Sequence, residues 1–402
     1  MTDQTSSIPN GWKMTKLGSV LQPKGYIRGP FGSALKRSEM KVSGIPVYEQ
    51  QNVIYNHRTF RYFIDENKYH EMARFTVKPQ DILISCSGTL GKITVIGSDD
   101  PIGIISQALL ILRSDTNKID ITFLSNFLNS VVGQHKLMGA SHGSVQINIA
   151  KRSEVEGIEL LLPPISEQHA ISSVLSSLDN KIELLREQNR TLESIAQTIF
   201  KEWFLNFNFP GSTGKMIDSE LGQMPEGWRV GKYSDLVEVI TGKGIRKEDL
   251  QDNGEYQVLG ANGEIGRTNK YLFDEDLILT GRVGTLGTIF FSKGKVWISD
   301  NALISKPLAD SNYYYAYFQL KRLNFDSLNR GSTQPLITQT DLKNVKLILP
   351  KDKVLMKWHE FSSGLFNKVF YNNFQMKTLY FFRDTLLPKL MKGEIRVKGV
   401  SN

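Results

Sequence analysis

Residues Ser166 to Trp203 read SEQHAISSVLSSLDNKIELLREQNRTLESIAQTIFKEW, and their apolar side chains recur at alternating steps of four and three residues. A serine ahead of a run of helix-forming residues is a typical N-cap, and a period of 3.5 residues indicates a coiled-coil seam. The sequence therefore predicts a long helix from Ser166 whose seam consists of Ile171, Leu175, Leu178, Ile182, Leu185, Asn189, Leu192, Ala196, Ile199 and Trp203.

A second stripe with the same spacing follows 187 residues later. It is weaker, but it keeps most of the apolar positions and again contains an asparagine, a residue that selects a pairing register inside a coiled coil. A single stripe would favour a helix lying on its own domain, whereas two equivalent stripes favour helices that pair with each other. The predicted second seam consists of Trp358, Ser362, Leu365, Val369, Asn372, Met376, Leu379, Arg383, Leu386 and Leu390.

Short strings on either side of the first helix return in the same order later in the chain. Their offset shrinks from 216 residues to 187, and the difference of 29 residues falls mostly between Trp12 and Asp81. Matching anchors with unmatched segments between them predict one scaffold that carries two different surfaces, although a duplication with drifted loops would give the same pattern. The matching strings are Pro9–Trp12 with Pro225–Trp228, Asp81–Ser85 with Asp276–Thr280, Gly88–Gly91 with Gly284–Gly287, Gly143–Ile149 with Gly331–Ile337, and Ile158–Pro163 with Val345–Pro350.

Each copy has a globular part ahead of its helix. Short β-rich runs separated by Gly, Pro and Asn alternate there with helical segments at Ile121–Leu137 and Ser311–Leu323. The sequence thus predicts an α+β protein: two mixed domains, separated by two long helices that pair as an antiparallel coiled coil, in a pseudo-two-fold repeat. The predicted strands are Ile82–Ile84, Lys92–Ile96, Ile102–Leu112, Leu277–Leu279, Thr288–Phe291 and Val296–Ile298.

The symmetry has a functional implication. A two-fold axis perpendicular to the helices would make them antiparallel, with the globular parts at opposite ends. Each helix of about 35 residues would be about 50 Å long. DNA has a local two-fold axis of the same kind, so such a protein could contact two separated half-sites, with the helices fixing the gap.

Composition narrows the partners and the compartment. The chain carries a net charge of +8, and its pI of about 9.2 favours a polyanionic partner such as nucleic acid. The single cysteine, Cys86, excludes an intramolecular disulfide and a cysteine-based zinc site. A polar start and the absence of a membrane-length apolar run predict a cytoplasmic protein with no membrane partner.

Several of these strings resemble type I restriction–modification specificity subunits, and the resemblance covers nearly the whole chain. One departure is KDKVLMKWHE at Lys351–Glu360, which stands ahead of the second helix where the family pattern would repeat PPxxEQ. The strings that carry the resemblance are PEGW at Pro225–Trp228, LPPISEQHAI at Leu162–Ile171, IFKEWF at Ile199–Phe204, FRDTLLPKLMKGEI at Phe382–Ile395, and GSxQ at Gly143–Gln146 and Gly331–Gln334.

The resemblance implies that two target-recognition domains each read half of a split site in double-stranded DNA. The helices would set the spacer and dock two modification (methyltransferase) subunits, and translocase–nuclease restriction subunits would join them. This chain would be non-catalytic and hold no cofactor, because S-adenosylmethionine, ATP and magnesium would act in those partners. The implied layout is domain 1 at 1–165, helix 1 at 166–207, a linker at 208–223, domain 2 at 224–351 and helix 2 at 352–398.

The sequence also lacks the motifs that catalysis on DNA would need. Adenine methylation needs an Asn/Asp-Pro-Pro-aromatic loop, which Leu162–Ile165 does not supply, and Gly88–Lys92 is followed by Ile93 rather than by the Ser/Thr of a P-loop. No histidine pair has zinc-site spacing, and neither Asp81 nor Asp276 has the second acid and lysine of a nuclease. Two alternatives remain: a single-chain methyltransferase or nuclease, and a coiled-coil scaffold without a DNA role.

Residues for DNA contact are sought in repeated loops that carry donors for base edges and phosphates. The basic loop Thr241–Lys247 has its nearest counterpart in Tyr26–Gly29. Residues that differ between the copies are better candidates for specificity, since shared glycines can serve the fold alone. The predicted DNA-binding residues are Ser87, Thr89, Lys92, Ser144, Gln146, Lys243, Arg246, Arg282, Thr285, Ser332, Thr333 and Gln334.

Overall fold

A computed structural model of the chain describes residues 8–30, 34–139, 141–142, 148–149, 151–283, 286–331 and 335–397. The chain divides into two compact units, and the boundary between them falls inside both long helices. Unit 1 comprises Met1–Leu184 with Gln375–Asn402, and unit 2 comprises Leu185–Phe374. No helix within the described ranges has the length and apolar character needed to cross a lipid bilayer.

Unit 1 is a mixed β and α unit that also contains the first half of one long helix and the second half of the other, which begins in unit 2. Its elements are β1 (Lys13–Lys16), β2 (Leu21–Arg28), β3 (Ile45–Tyr48), α1 (Gln50–Ile54), β4 (Phe63–Ile64), α2 (Glu66–Glu71), β5 (Ile82–Ser85), β6 (Ile93–Val95), β7 (Ile104–Ile105), β8 (Leu109–Ser114), α3 (Ile121–Asn129), α4 (Val131–Gly139), β9 (Ser141–His142), β10 (Asn148–Ile149), α5 (Arg152–Glu156), β11 (Glu159–Leu162) and α6 (Ile165–Phe204).

Three sheets organise the described part of unit 1. A four-stranded antiparallel sheet has the order β2-β8-β5-β6, and β5 is buried along its whole length because it lies inside that sheet. A smaller sheet has the order β4-β3-β7, in which β3 and β7 run parallel. Antiparallel β1 and β11 join the two ends of the globular part, directly ahead of α6. The β9–β10 pair completes the described strands.

Two sequence predictions for unit 1 are wrong in detail. The helix predicted at Ile121–Leu137 is two helices, because Ser130 leaves the helical conformation (φ −66°, ψ 158°) and its hydroxyl accepts from Gly133 N at 3.1 Å. A Cβ on Gly133 would lie 1.9 Å from the Phe127 carbonyl oxygen, so the break depends on glycine there. The strand predicted at Ile102–Leu112 is interrupted between β7 and β8.

Unit 2 contains the second half of α6 and a second mixed globular part. Its further elements are β12 (Met216–Ser219), β13 (Gly222–Pro225), β14 (Arg229–Lys232), β15 (Val237–Thr241), β16 (Tyr256–Gly260), β17 (Gly263–Thr268), β18 (Phe273–Asp274), β19 (Leu277–Gly281), β20 (Ile289–Ser292), β21 (Lys295–Ile298), β22 (Ala302–Pro307), α7 (Tyr313–Arg322), α8 (Gln339–Lys343), β23 (Lys346–Leu349) and α9 (Asp352–Met391).

Three sheets of unit 2 repeat sheets of unit 1, and β12 and β13 form a further antiparallel pair. The order β15-β22-β19-β20 matches β2-β8-β5-β6, and the β14–β23 pair matches β1–β11. The order β17-β16-β21-β18 matches β4-β3-β7 with one added strand, and β16 and β21 again run parallel. The predicted α+β fold, with two repeated sheet domains and two long helices, is therefore confirmed.

The long helices α6 and α9 contain 40 residues each and pack antiparallel in both units. In unit 1, Arg383 of α9 donates to Asp179 of α6 at 3.1 Å, and Leu390 shares a core with Leu175. In unit 2, the rings of Trp203 and Trp358 meet edge-to-face at 5.8 Å between centroids. The start of α6 differs from the prediction by one residue, because the helix begins at Ile165, directly after Pro164.

The predicted seam positions are buried or half-buried, whereas most of the side chains between them are exposed. The named pairing residues divide by unit and by burial. In unit 1, Leu175 and Ile182 are buried, and Leu178, Met376 and Leu379 are half-buried; in unit 2, Leu185, Asn189, Val369 and Asn372 are buried, and Leu192 and Leu365 are half-buried.

Both seam asparagines belong to one polar cluster inside unit 2. The Asn372 amide nitrogen donates to the Asn189 side-chain oxygen at 2.8 Å and faces the Gln188 amide oxygen at 3.4 Å. Asn189 in turn donates to the Asn373 side chain at 2.8 Å. Because Asn372 is fully buried, this pairing register is the one that satisfies its amide nitrogen.

Replacing one member of this cluster should cost more than replacing both central members. The Asn372→Ala variant leaves the buried Asn189 oxygen without its donor, so we expect the free energy of unfolding to fall by about 1–3 kcal/mol. In the Asn189→Leu/Asn372→Leu double variant both polar groups are gone, and most of that loss should be recovered. Urea titrations followed by circular dichroism at 222 nm measure both, and a double variant less stable than N372A would contradict the expectation.

Candidate nucleic-acid interface

In both units, the loop that follows the first strand of the four-stranded sheet runs tightly against a neighbouring backbone. A Cβ on Gly29, directly after β2, would lie 2.0 Å from the Ser106 carbonyl oxygen. A Cβ on Gly242, directly after β15, would lie 2.1 Å from the Ile298 carbonyl oxygen and 2.5 Å from that of Ser299. Glycine at both positions thus lets equivalent loops emerge from the same end of equivalent sheets.

In unit 1, the loop after β5 is a tight turn held by Ser85. Its hydroxyl donates to the Thr89 carbonyl oxygen at 2.7 Å and accepts from Lys92 N at 2.9 Å. The glycines of this turn, Gly88 and Gly91, have φ of 64° and 70°, a conformation that other residues rarely adopt. Thr89 and Lys92 are exposed, whereas Ser87 is half-buried and its carbonyl accepts from the Gln50 side chain.

Cys86 lies in the same turn but points inward. It is fully buried, and burial raises the pKa of its thiol to about 12. A thiol that stays protonated at neutral pH is a poor nucleophile, so Cys86 contributes packing rather than reactivity.

In unit 2, the equivalent loop after β19 lies beside a second repeated loop. Arg282 N donates to the Asn301 carbonyl oxygen at 3.1 Å, and the Arg282 carbonyl oxygen accepts from Ile337 N at 3.1 Å. Val283 and Leu336 form an isolated antiparallel bridge between the same two loops. The Arg282 side chain is half-buried at this junction.

The basic loop after β15 joins this junction. Lys243 N donates to the Ile298 carbonyl oxygen at 2.9 Å, and the Trp297 indole nitrogen donates to the Lys243 carbonyl oxygen at 2.8 Å. The Lys243 side chain is exposed. Gln339 of α8 approaches the Thr241 hydroxyl at 3.4 Å, which links this loop to the segment after residue 330. Three of the loops singled out from the sequence are therefore neighbours in unit 2.

Two arginines of these loops form ion pairs with carboxylate side chains. Arg246 pairs with Glu248 at 2.7 Å and Asp249 at 3.0 Å. Arg330 pairs with Asp341 at 2.7 Å. Although burial opposes ionisation of Asp341, hydrogen bonds from Thr338 and Arg330 lower its pKa below the usual value, so this pair persists at neutral pH.

Half of the DNA-binding residues predicted from the sequence can be placed. Ser87, Thr89 and Lys92 share one turn of unit 1, and Lys243, Arg246 and Arg282 lie in two adjoining loops of unit 2. Their contact with DNA stays a prediction. The other predicted residues lie outside the described residues: Ser144, Gln146, Thr285, Ser332, Thr333 and Gln334.

Sequence reasoning missed a groove in unit 1, of about 410 Å³, that is lined by both polar and apolar side chains. It lies between the residues that follow β3 and those that precede β8, and Gln50, Arg61 and Gln107 contribute to its walls. The available signal was the length difference between the two copies, which falls mostly between Trp12 and Asp81, the segment that contains Gln50 and Arg61.

Asp81 and Asp276, each of which precedes a strand, both form ion pairs with basic side chains. Arg113 donates to both carboxylate oxygens of Asp81, at 2.8 and 2.7 Å, and Lys293 pairs with Asp276 at 3.0 Å. Across the described ranges, no group of three or more His, Cys, Asp or Glu side chains is arranged to hold a metal ion.

Comparison with known proteins identifies the class to which this repeated, loop-bearing fold belongs. The family model described as the type I restriction modification DNA specificity domain matches residues 9–194 and 225–354, one match for each copy. Among solved structures, the crystal structure of the type I restriction–modification system S subunit from M. genitalium has a TM-score of 0.63 and 16% sequence identity. That similarity covers 97% of this chain and 98% of the other, and it shows a shared fold.

Curated relatives span the same length. The type I restriction enzyme MjaIX specificity subunit of Methanocaldococcus jannaschii is 24% identical over 430 aligned positions, covering 97% of this chain and 95% of the relative. The HindI specificity subunit of Haemophilus influenzae is 22% identical, covering 80% and 88%. The chain belongs to the family of type I restriction–modification specificity subunits, which confirms the resemblance found in its sequence.

The close approach at Gly242 can be tested against a second glycine of the same loop. In Gly242→Ala the new methyl group meets two backbone oxygens, so we expect a loss of about 1–3 kcal/mol in the free energy of unfolding. In Gly244→Ala the nearest atom is an Asp300 carboxylate oxygen at 3.8 Å, an ordinary contact, so the change should stay within about 0.5 kcal/mol. Denaturant unfolding compares them, and equal losses would refute the steric explanation.

Proposed function

We propose that this chain is the DNA-reading subunit of a type I restriction–modification complex and has no catalytic centre of its own. Each unit reads one half of a bipartite site in double-stranded DNA. The helices α6 and α9 set the spacer and dock two methyltransferase subunits, and translocase–nuclease subunits join to form the restricting complex. Methylation with S-adenosylmethionine and cleavage with ATP and magnesium belong to those partners, and the complex acts in the cytoplasm.

The observation that carries this proposal is one sheet scaffold used twice with different loops. The strand orders of the two four-stranded sheets agree, and Gly29 and Gly242 occupy equivalent positions in them. The residues on either side of these glycines differ: Arg28 and Pro30 in unit 1, and Thr241 and Lys243 in unit 2. A protein that reads two unlike half-sites needs this combination of a constant frame and variable donors.

The helices support a role in spacing and docking. At 1.5 Å per residue, each 40-residue helix is about 60 Å long, which exceeds the ~34–36 Å of one DNA turn. The outer surface of α9 also carries exposed aromatic side chains, among them Phe381 at 68% exposure in unit 1 and Phe374 at 68% in unit 2. Large exposed apolar side chains are typical of surfaces that a partner covers.

Domain exchange tests whether each unit reads one half of the DNA site. Residues 224–351 would be replaced by the second domain of another family member, and both chains would be produced with methyltransferase subunits. Methylome sequencing should return a split motif, of which one half changes and the other half and the spacer stay the same. An exchange that alters neither half would refute the proposal, and so would the absence of any split motif.

Salt dependence tests the basic loop. Lys243→Ala should weaken DNA binding by the assembled complex to a similar degree for all sequences. It should also reduce the slope of log K against log [salt] by about one, because one phosphate contact is lost. The matched control is Lys232→Ala on β14, whose ammonium group donates to the Asn344 side chain at 2.9 Å. If K232A weakened DNA binding as much as K243A does, the loss of affinity would come from the change in net charge rather than from the loop.

A further inference from the structure

The two units differ most clearly where the parallel strand pair begins. In unit 2, only residues 261 and 262 connect β16 to β17, its antiparallel neighbour. In unit 1, residues 49–62 connect the equivalent strands β3 and β4, and this connection contains α1. An insertion at one position of a repeated sheet can give one unit a binding specificity that the other unit lacks.

The insertion forms one wall of the groove in unit 1. Arg61 lies at its end and contacts Glu49 at its beginning, with Nε to Oε2 at 3.0 Å and Nη2 to Oε1 at 2.8 Å. The Glu49 side chain is only 17% exposed, whereas that of Arg61 is 60% exposed. The half-buried carboxylate therefore fixes the direction of an arginine that faces the groove and solvent.

The geometry leaves one edge of this guanidinium available. Arginine has five N–H donors, and Glu49 uses the edge formed by Nε and Nη2. Within the described residues, Nη1 of Arg61 has no hydrogen-bond partner, so the Nη1–Nη2 edge can still donate two parallel hydrogen bonds. Guanine presents two acceptors, O6 and N7, at the matching spacing in the major groove.

A second arginine of the same insertion shows the contrasting arrangement. Arg58 donates from Nε and Nη2 to Asp100 at 2.7 and 2.6 Å, and its Nη1 also contacts the His57 carbonyl oxygen at 3.3 Å. Its side chain is only 23% exposed. All edges of Arg58 are used within the protein, so this residue holds the insertion together and presents no free edge.

We propose that Arg61, held by Glu49, reads a guanine in the half-site that unit 1 recognises. This inference rests on the proposed function, and it names a specificity-determining residue. A base edge is favoured over a phosphate because the Glu49 carboxylate, in direct contact with Arg61, would repel a phosphate but not a neutral base. The Gln50 side chain, which donates to the Ser87 carbonyl, anchors the insertion to the turn after β5.

The test uses the complete complex with methyltransferase subunits and duplexes that carry its methylation motif. The half assigned to unit 1 is the half that exchange of residues 224–351 leaves unchanged. The wild-type complex should prefer guanine at one position of that half by about 5- to 150-fold over adenine, the range for one bidentate base contact. Arg61→Lys keeps the positive charge but cannot donate two parallel hydrogen bonds. The preference for guanine over adenine should therefore fall close to one-fold.

Two further variants separate this role from a structural one. Glu49→Gln loosens the anchor and should reduce the guanine preference partially, whereas Arg58→Lys should lower thermal stability and leave the preference unchanged. An R61K complex that keeps both the affinity and the guanine preference would overturn the inference, and so would a unit 1 half-site without guanine. In either case the split motif would persist, which distinguishes this failure from failure of the proposed function.

Discussion

The burial of α6 against α9 is the constraint on which the remaining structure depends. Each unit contains half of both helices, so neither globular part has a closed core from its own sequence segment alone. Leu390 and Met391, near the end of the chain, lie in the same core as Trp12. In unit 2, Trp358 packs on Phe200 and Phe318, which fixes α9 to α6 and α7. At about 1.5–3 kcal/mol for each large apolar side chain buried, these contacts outweigh any single surface interaction.

Because the helix pair completes both cores, stability depends mainly on the helix seam, and the loops at the sheet ends are left to vary. Substitutions along the seam affect packing in one or both units, so the seam tolerates little variation. The loops at the sheet ends are less constrained by core packing. They can vary in sequence provided that the glycine that permits their close approach to a neighbouring backbone is kept, as at Gly29 and Gly242. Under the proposed function, DNA recognition would change through loop residues such as Lys243 or through an inserted connection such as 49–62, while the sheet order stays the same in both units.

Periodic and repeated features of this fold were predictable from sequence, because they recur over many residues. The heptad stripes predicted both helices, whose starts agree to within one residue, although α6 ends at Phe204 rather than at 207 and α9 ends at Met391 rather than at 398. The repeated strings predicted two similar domains. Features that depend on one contact were not predictable. The break at Ser130 follows from a hydroxyl cap and from space for Gly133, neither of which alters the apolar pattern of that segment. Likewise, the Glu49–Arg61 pair joins residues twelve positions apart, and no periodicity marks them.

The net charge of +8 predicts a polyanionic partner, but it does not identify the residues that would contact that partner. Among the basic side chains near the loop ends, Arg246, Arg330 and Arg61 are all paired with acids. Pairing lowers the attraction of each arginine for phosphate, yet it fixes the direction in which the guanidinium points, and direction is what distinguishes one base edge from another. Under the proposed function, non-specific affinity for DNA would depend on exposed lysines such as Lys243, whereas discrimination between bases would depend on arginines whose charge is already largely balanced.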